Sequence, residues 1–313
     1  MASKNSSGDQ LLQNLSINDD TQTVIQCLSE NYILIDVCAN LVNKKYSRDL
    51  DAVVQRAKDA GVKKMIVVGT SVHTTKEALR LTRMFPGTLY CAAGIHPHDA
   101  KSWEDDTIDT LRETAANPEC VAIGECGLDF NKDFSPRDTQ LEVLETQVNL
   151  ACELKKPLIL HEREAFNEMV AILEKYRERL PPTVIHCFTG SAEQAKKYVS
   201  LGLCLGITGY IWKDKGGLRE ALEKGLIPLD HILLETDCPF MCPNPRGAKL
   251  TPEVRAAVSA TSLRLLERYC SFQRNEPCSL PATLELTAAF LGVPPQDLAL
   301  KCTYTALKIF GLD

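Results

Sequence analysis

From Ile33 onward, short apolar runs of strand length alternate with longer segments of helical period. The apolar runs read ILIDVC, KKMIVVG, LYCAAGI, CVAIGEC, PLILHE, TVIHCF, LCLGITG and HILLETD. Between them, apolar residues at helical spacing predict helices over 48–60, 74–85, 105–116, 136–154, 165–179, 191–201 and 217–224. Ser135, with Pro136 at the first helical position and Asp138 in the first turn, reads as the start of the fourth of these. Gly61 and Gly202 fall where helices stop. Three further helical segments, 252–271, 281–291 and 295–310, follow the last apolar run.

Continuous apolar strands joined by helices imply a parallel sheet covered on both faces. Eight such units make an α/β protein, a (β/α)8 TIM-like barrel with extra C-terminal helices. The alternative, an open doubly wound sheet, carries a glycine-rich phosphate loop after its first strand, and this sequence has none there. Residues 31–313 therefore read as one barrel domain. Residues 1–30, rich in Ser, Asn, Asp and Gln, read as a poorly ordered polar arm with a short helix near Thr21 to Leu28.

In such barrels the chemistry sits at the C-terminal ends of the strands. Those ends carry Asp36 in IDVCAN, His96 and His98 in GIHPHD, Glu125 and Asp129 in GECGLD, His161 and Arg163 in LILHER, His186 in VIHCF, and Asp237 in LLETDCP. Of six histidines in the chain, four occupy these places; His73 and His231 lie in a loop and at the beginning of a strand. Each residue alone has a structural explanation, such as a half-buried imidazole or an Asp that caps a turn. Together they converge on one rim. Glu125, His161, His186 and Asp237 form a set of two imidazoles and two carboxylates, which suits a divalent ion such as Mg, Mn or Zn. Glu125 as a bridging carboxylate allows one or two ions, the latter about 4 Å apart as in two-metal phosphoryl displacement.

Composition narrows the remaining choices. A net charge of −6 excludes a protein that grips nucleic acid with its whole surface, but leaves room for a local basic groove. Arg163, Lys213, Lys215, Arg246, Lys249 and Arg274 lie in or near predicted loops, and Phe130, Phe188, Tyr210, Trp212 and Phe240 follow strand ends. Cations interleaved with aromatics are what a groove for single-stranded nucleic acid needs. Thirteen cysteines, scattered singly with no CxxC spacing, fit a reducing compartment. No apolar stretch is long enough for a membrane span or a signal core, so cytoplasm, nucleus or both are expected, with no membrane partner and no obligate protein partner.

Several motifs, in order, resemble those of the TatD-type metal-dependent deoxyribonucleases within the amidohydrolase-like barrels: GIHPHD at 94–99, AIGECGLDF at 122–130, LHER at 160–163, IHCFTG at 185–190, GITGYI at 206–211, LLETDCPF at 233–240 and RNEP at 274–277. The resemblance implies divalent-metal-dependent hydrolysis of DNA phosphodiesters, as a 3′-to-5′ exonuclease on single-stranded ends, with Mg the usual cofactor and RNA or tRNA as further substrates. It implies Glu125, His161, His186 and Asp237 as metal ligands, with Asp237 and Glu125 catalytic and Asp237 placed to accept a proton from the attacking water. His96, His98 and Arg163 are implied to orient the phosphate. Asn275 and Glu276 are implied to be a structural element. Many relatives carry Asp-x-His-x-His on the first strand, whereas here Cys38 and Asn40 stand in the histidine places and Asp36 is retained. The subgroup around the founding TatD protein departs similarly. Asp36 and Asn40 are then expected on the substrate-side rim, with one ion held well and a second weakly. Two other readings remain at this point: an ester hydrolase such as a D-aminoacyl-tRNA deacylase, and a barrel kept as a non-enzymatic binding scaffold.

Overall fold

Eight parallel strands run in chain order around a barrel: β1 (Leu34–Ala39), β2 (Val62–Val68), β3 (Leu89–Ala93), β4 (Cys120–Asp129), β5 (Leu158–Arg163), β6 (Thr183–Ile185), β7 (Cys204–Ile207) and β8 (Ile232–Leu234). The computed structural model describes residues 32–312, so the expected arm and its short helix lie outside the described residues. The connecting helices are α1 (Leu50–Asp59), α2 (Val72–Met84), α3 (Thr107–Ala115), α4 (Arg137–Leu154), α5 (Phe166–Lys175), α6 (Ala192–Ser200) and α7 (Leu218–Glu223). After β8 come α8 (Pro252–Ala256), α9 (Ala260–Tyr269), α10 (Leu280–Leu291) and α11 (Pro295–Phe310). Every predicted strand and every predicted βα alternation is present.

Burial explains the pattern. Ile35, Val37, Ile66, Val68, Ile159, Val184 and Leu233 on the strands form one buried cluster with Ala306 and Phe310 of α11 and with Leu312. Each such side chain contributes roughly 1.5–3 kcal/mol on burial, which is why α11 docks here rather than standing free. Ser71 and Ser191 start α2 and α6 with reciprocal capping boxes, closed by Thr74 and Gln194. Among the described residues, no helix is long and apolar enough to cross a membrane.

Two local expectations are corrected. Ser135 does not cap α4. Its buried hydroxyl donates to the His98 carbonyl (3.0 Å) and accepts from the Lys101 amide (3.1 Å), tying the rim turn after β3 to the start of α4. The helix expected over 252–271 is two helices, because the Ser259 hydroxyl accepts from the Ser262 amide and begins a new one. No Pro or Gly marks that break, so the periodicity alone carried straight through it.

The barrel closes by a polar seam. β8 joins β1 through the Asp237 amide on the Cys38 carbonyl (3.0 Å) and the Asn40 amide on the Cys238 carbonyl (3.0 Å). Between them the Asp36 carboxylate accepts from the Thr236 amide (2.9 Å), the Thr236 hydroxyl and the Cys38 amide (3.4 Å). Asn275 braces this seam from outside, its Nδ2 donating to the Thr236 carbonyl (3.2 Å) and its own amide to the Pro239 carbonyl (3.0 Å). Glu276 beside it is fully buried and paired with Arg56 and Arg274. The expectation that Asn275 and Glu276 are structural agrees with these contacts.

Candidate metal centre

Glu125 does not sit at a strand end. It lies within β4, where the register against β5 shifts between Ile123 and Cys126. The flanking glycines allow this. A Cβ on Gly127 would lie 1.9 Å from the His161 carbonyl oxygen, and one on Gly124 would lie 2.5 Å from the Ile159 carbonyl oxygen. Both also adopt positive φ, 145° and 152° for Gly124 and Gly127, a region L side chains rarely enter. The GECG setting thus lets β4 press against β5 and turn the Glu125 carboxylate inward, beside His161.

Three imidazoles surround one Glu125 oxygen. Oε1 lies 2.9 Å from His186 Nε2, 3.1 Å from His96 Nε2 and 3.4 Å from His161 Nδ1, while His161 Nδ1 and His186 Nε2 are 3.2 Å apart. The His98 amide donates to His96 Nδ1 (3.1 Å), so the neutral His96 ring carries its proton on Nε2 and donates it to Glu125. The far nitrogens face carboxylates. His161 Nε2 lies 3.5 Å from Asp129 Oδ2, and His186 Nδ1 lies 3.5 Å from Glu235 Oε1, both outside hydrogen-bonding geometry. Asp129 Oδ2 also pairs with His98 Nε2 at 2.6 Å, and Asp129 Oδ1 accepts from the Asn131 and Lys132 amides, each at 3.0 Å. Glu235 accepts from the Cys187 amide.

The electrostatics follow from this crowding. Burial alone raises the Glu125 carboxyl, but His186, His96 and His161 outweigh it and hold the group well below the usual carboxylate range. Burial lowers His186, and Glu125, Cys38 and Glu235 outweigh it, so its imidazole stays charged well above its usual range. His161 is likewise raised by Asp129 and Glu125 against the effect of burial. His96, mainly through burial, falls to about 4. Burial pushes Asp237 up to about 8, with His186 opposing and Glu125 and Glu235 adding to the rise. Four carboxylates, Glu125, Asp129, Glu235 and Asp237, thus share a small volume in which imidazolium is the main cation.

A divalent ion fits this donor set. Donors adjacent on one ion with bonds of about 2.1 Å lie roughly 3 Å apart, close to the spacings among Glu125 Oε1, His161 Nδ1 and His186 Nε2. A ligating histidine commonly presents its other nitrogen to a carboxylate that fixes the ring. Asp129 and Glu235 occupy those places, and His161 Nε2, His186 Nδ1 and Glu235 Oε2 are buried without a hydrogen-bond partner among the described residues.

The other expected residues divide. Asp237 adopts φ 46° just past β8 and is half-buried among the same charges. His98 and Arg163 are on the open side. Arg163 has a side chain 47% exposed with its guanidinium 4.0 Å from Asp129. Asn40 is half-buried at the seam. Asp36 is a correction. It is fully buried, both its oxygens are engaged in the seam, and it is not available to substrate. Arg274 is committed to Asp49 and Glu276, and Phe130 and Phe188 are buried, so these three leave the expected groove. Cys126 and Cys238 are buried as core neighbours, whereas Cys38 offers its sulfur near His186 and Glu235, one donor atom from each lying within 4.8 Å of the others.

Glu235 is the residue sequence reading missed. Its signal was a second carboxylate two positions before Asp237 in LLETD, on the same strand face, which alternation places toward the same interior. Asp129, expected only as a rim residue, stands between His98 and His161, 2.6 Å from His98 Nε2 and 3.5 Å from His161 Nε2.

A family model described as TatD related DNase matches residues 35–311. The 3′-5′ ssDNA/RNA exonuclease TatD of Erwinia billingiae is 38% identical over 281 residues, which cover 89% of this chain and 99% of that protein. The protein of the same name from Salmonella typhimurium is 37% identical over 279 residues, covering 88% and 98%. Among solved structures, the TatD homolog YJJV from Escherichia coli K12 aligns with a TM-score of 0.74 at 28% identity, covering 90% of this chain and 98% of that one. A TatD family hydrolase from Entamoeba histolytica aligns with a TM-score of 0.76 at 21% identity and shares the fold.

Proposed function

The chain belongs to the TatD-related DNase family and is a hydrolase of that family, and from this premise we propose that it removes nucleotides from the 3′ end of single-stranded DNA, and of RNA, using a divalent ion at the Glu125 cluster. The observation that carries the reading is the convergence of Glu125 Oε1, His161 Nδ1 and His186 Nε2 within 3.4 Å, with buried carboxylates behind both rings. Glu125, His161 and His186 hold the first ion, and Asp237 completes the set. Mg is the proposed metal, with Mn or Zn able to replace it. A second ion, lacking imidazoles at Cys38 and Asn40, binds weakly. When bound, such an ion stabilises charge on a phosphoryl oxygen and makes water a better nucleophile at neutral pH.

The chain's own groups do the rest. His98, anchored by Asp129, and the exposed Arg163 guanidinium orient the scissile phosphate from the open side. Asp237, pushed up to about 8 by burial without an ion, would accept the proton of the attacking water as its carboxylate, the form that a neighbouring divalent cation favours. Attack on phosphorus breaks the bond to the 3′ oxygen of the penultimate nucleotide and releases a nucleoside 5′-monophosphate. The presence of all four of Glu125, His161, His186 and Asp237 sets this reading above a binding scaffold. Free cysteines at every described cysteine position fit a reducing compartment, and cytoplasm or nucleus is the proposed location.

Digestion of 3′- and 5′-labelled oligonucleotides with a panel of divalent metals tests the proposal. Mononucleotides released progressively from the 3′ end with Mg or Mn are the expected result. Release only from the 5′ end, or none with any metal, overturns it.

A further inference from the structure

The loop that follows β8 encloses a second recess on the catalytic face. Together with α9 and the turn after it, this loop bounds a cavity of about 300 Å³ that the Glu125 cluster does not use. Its walls come from two strand ends. Trp212 belongs to the turn after β7, and Pro243 to the loop that Asp237 begins. The two segments are in tight contact: a Cβ on Gly209 would lie 2.6 Å from Pro243 Cδ, and one on Gly247 would lie 2.5 Å from Trp212 Cε3. In a TIM-like barrel both segments lie on the face that carries the chemistry.

The lining is aromatic and apolar with little net charge. Trp212 and Phe272 supply rings, and Leu263 and Leu266 of α9 supply aliphatic surface. Phe272 is 71% exposed and presents its ring at the open side of the recess. Trp212 Nε1 is buried with no hydrogen-bond partner among the described residues, and a buried donor left so is expensive. Arg246 and Glu267 pair with each other and cancel. A cation stands beside the rings: Lys213 Nζ lies 3.5 Å from the Tyr210 ring centre and 5.7 Å from those of Trp212 and Phe272.

We propose that this recess binds one nucleobase of the single strand, upstream of the nucleotide being removed, with Lys213 taking the adjoining phosphate. The proposal rests on the nuclease reading above for the source of the base. A free phosphate suits the recess poorly, because its lining is largely apolar and its one arginine, Arg246, is already paired with Glu267. A neutral planar ring with hydrogen-bonding edges suits it well, and stacking on aromatic side chains is sequence-tolerant, as a nuclease working along a strand requires.

The test uses the full chain and a 5′-labelled single-stranded oligonucleotide scanned with one abasic position at a time. Binding is read by fluorescence anisotropy without divalent metal, so cleavage is not needed, and mononucleotide release from the unmodified oligonucleotide with Mn is measured on wild type in parallel. At one internal position, loss of the base should weaken wild-type binding about tenfold. Phe272→Ala should be weak throughout and indifferent to that position, whereas Phe272→Trp should keep the sensitivity. Thermal melting shows whether each variant is folded. A scan with no sensitive position, or one in which Phe272→Ala keeps the wild-type sensitivity, overturns the recess. Mononucleotide release from the oligonucleotide that is absent with Mn while the sensitive position persists overturns the nuclease reading and leaves the recess standing.

Discussion

Two polar regions of this barrel each contain a buried carboxylate carried within a strand, Asp36 in β1 and Glu125 in β4, and they have opposite fates. At the β1–β8 seam, Asp36 accepts hydrogen bonds from the Thr236 amide, the Thr236 hydroxyl and the Cys38 amide. Burial nevertheless dominates and pushes its carboxyl up to about 7. At the β4–β6 face, Glu125 is equally enclosed but meets three imidazoles, and is held well below its ordinary range. The seam satisfies its carboxylate with neutral donors of its own chain. The Glu125 face instead gathers charge of both signs and leaves His161 Nε2, His186 Nδ1 and Glu235 Oε2 without hydrogen-bond partners. The seam leaves one neutral atom unpartnered, Asn275 Oδ1, whereas the Glu125 face leaves ionisable nitrogens and a carboxylate oxygen so, and it is this clustering of unpartnered ionisable atoms that marks a candidate site.

The strongest way to break this contrast is to remove the hub. Glu125→Gln keeps the shape but discards the charge that both faces of the cluster share. Mononucleotide release from a 3′-labelled strand should fall by at least about 10³-fold, the several kcal/mol that a catalytic ion supplies. Activity within tenfold of wild type would mean that Glu125 is only packed there. The next effect should come from the carboxylates behind the rings. Asp129→Asn and Glu235→Gln should each weaken Mn binding about 10–100-fold in a calorimetric titration, with activity recovering as metal is raised. Asp36→Asn, at the seam, should leave Mn affinity unchanged. Equal losses for Asp36 and Glu235 would erase the distinction between the two regions.

The seam also shows where sequence reading ran out. The alternation of apolar runs and helical segments sufficed for the barrel, because every βα unit repeats the same two periods. Glu125, His161 and His186 were legible because imidazoles and carboxylates at several strand ends must converge once the strands form a ring. Asp36 was misread for the same reason. It occupies an equivalent place on its strand, and only the contact with Thr236, two hundred positions away, gives it a different partner. Glu235 was hidden by its neighbour Asp237, and Ser135 by a pattern that fits a helix cap as well as it fits the tie to His98 and Lys101. The misses at Asp36 and Ser135 involve partners distant in sequence, which local patterning cannot supply, whereas the break at Ser259 is a local cap that the periodicity carried through.

The smallest predicted effect is on stability, and it sharpens the seam alone. The folded-state pKa of Asp36, about 7, lies above its ordinary value of 3.8. The folded chain therefore holds this proton more tightly than the unfolded chain does. Stability from this group is fully present below about pH 4, declines as pH rises toward about 7, and is lost beyond it. Asn in this place can accept from the Thr236 amide and donate to the Thr236 hydroxyl without ever ionising. Asp36→Asn should therefore melt with a shallower fall in Tm between pH 5 and pH 8 than wild type, measured on metal-free protein. Asp36→Ala should be destabilised at every pH by about 1–3 kcal/mol, because the Thr236 amide loses its acceptor. A variant Asp36→Asn that follows the wild-type pH profile would show that Asp36 is ionised throughout, and that the seam holds its charge as the Glu125 face does.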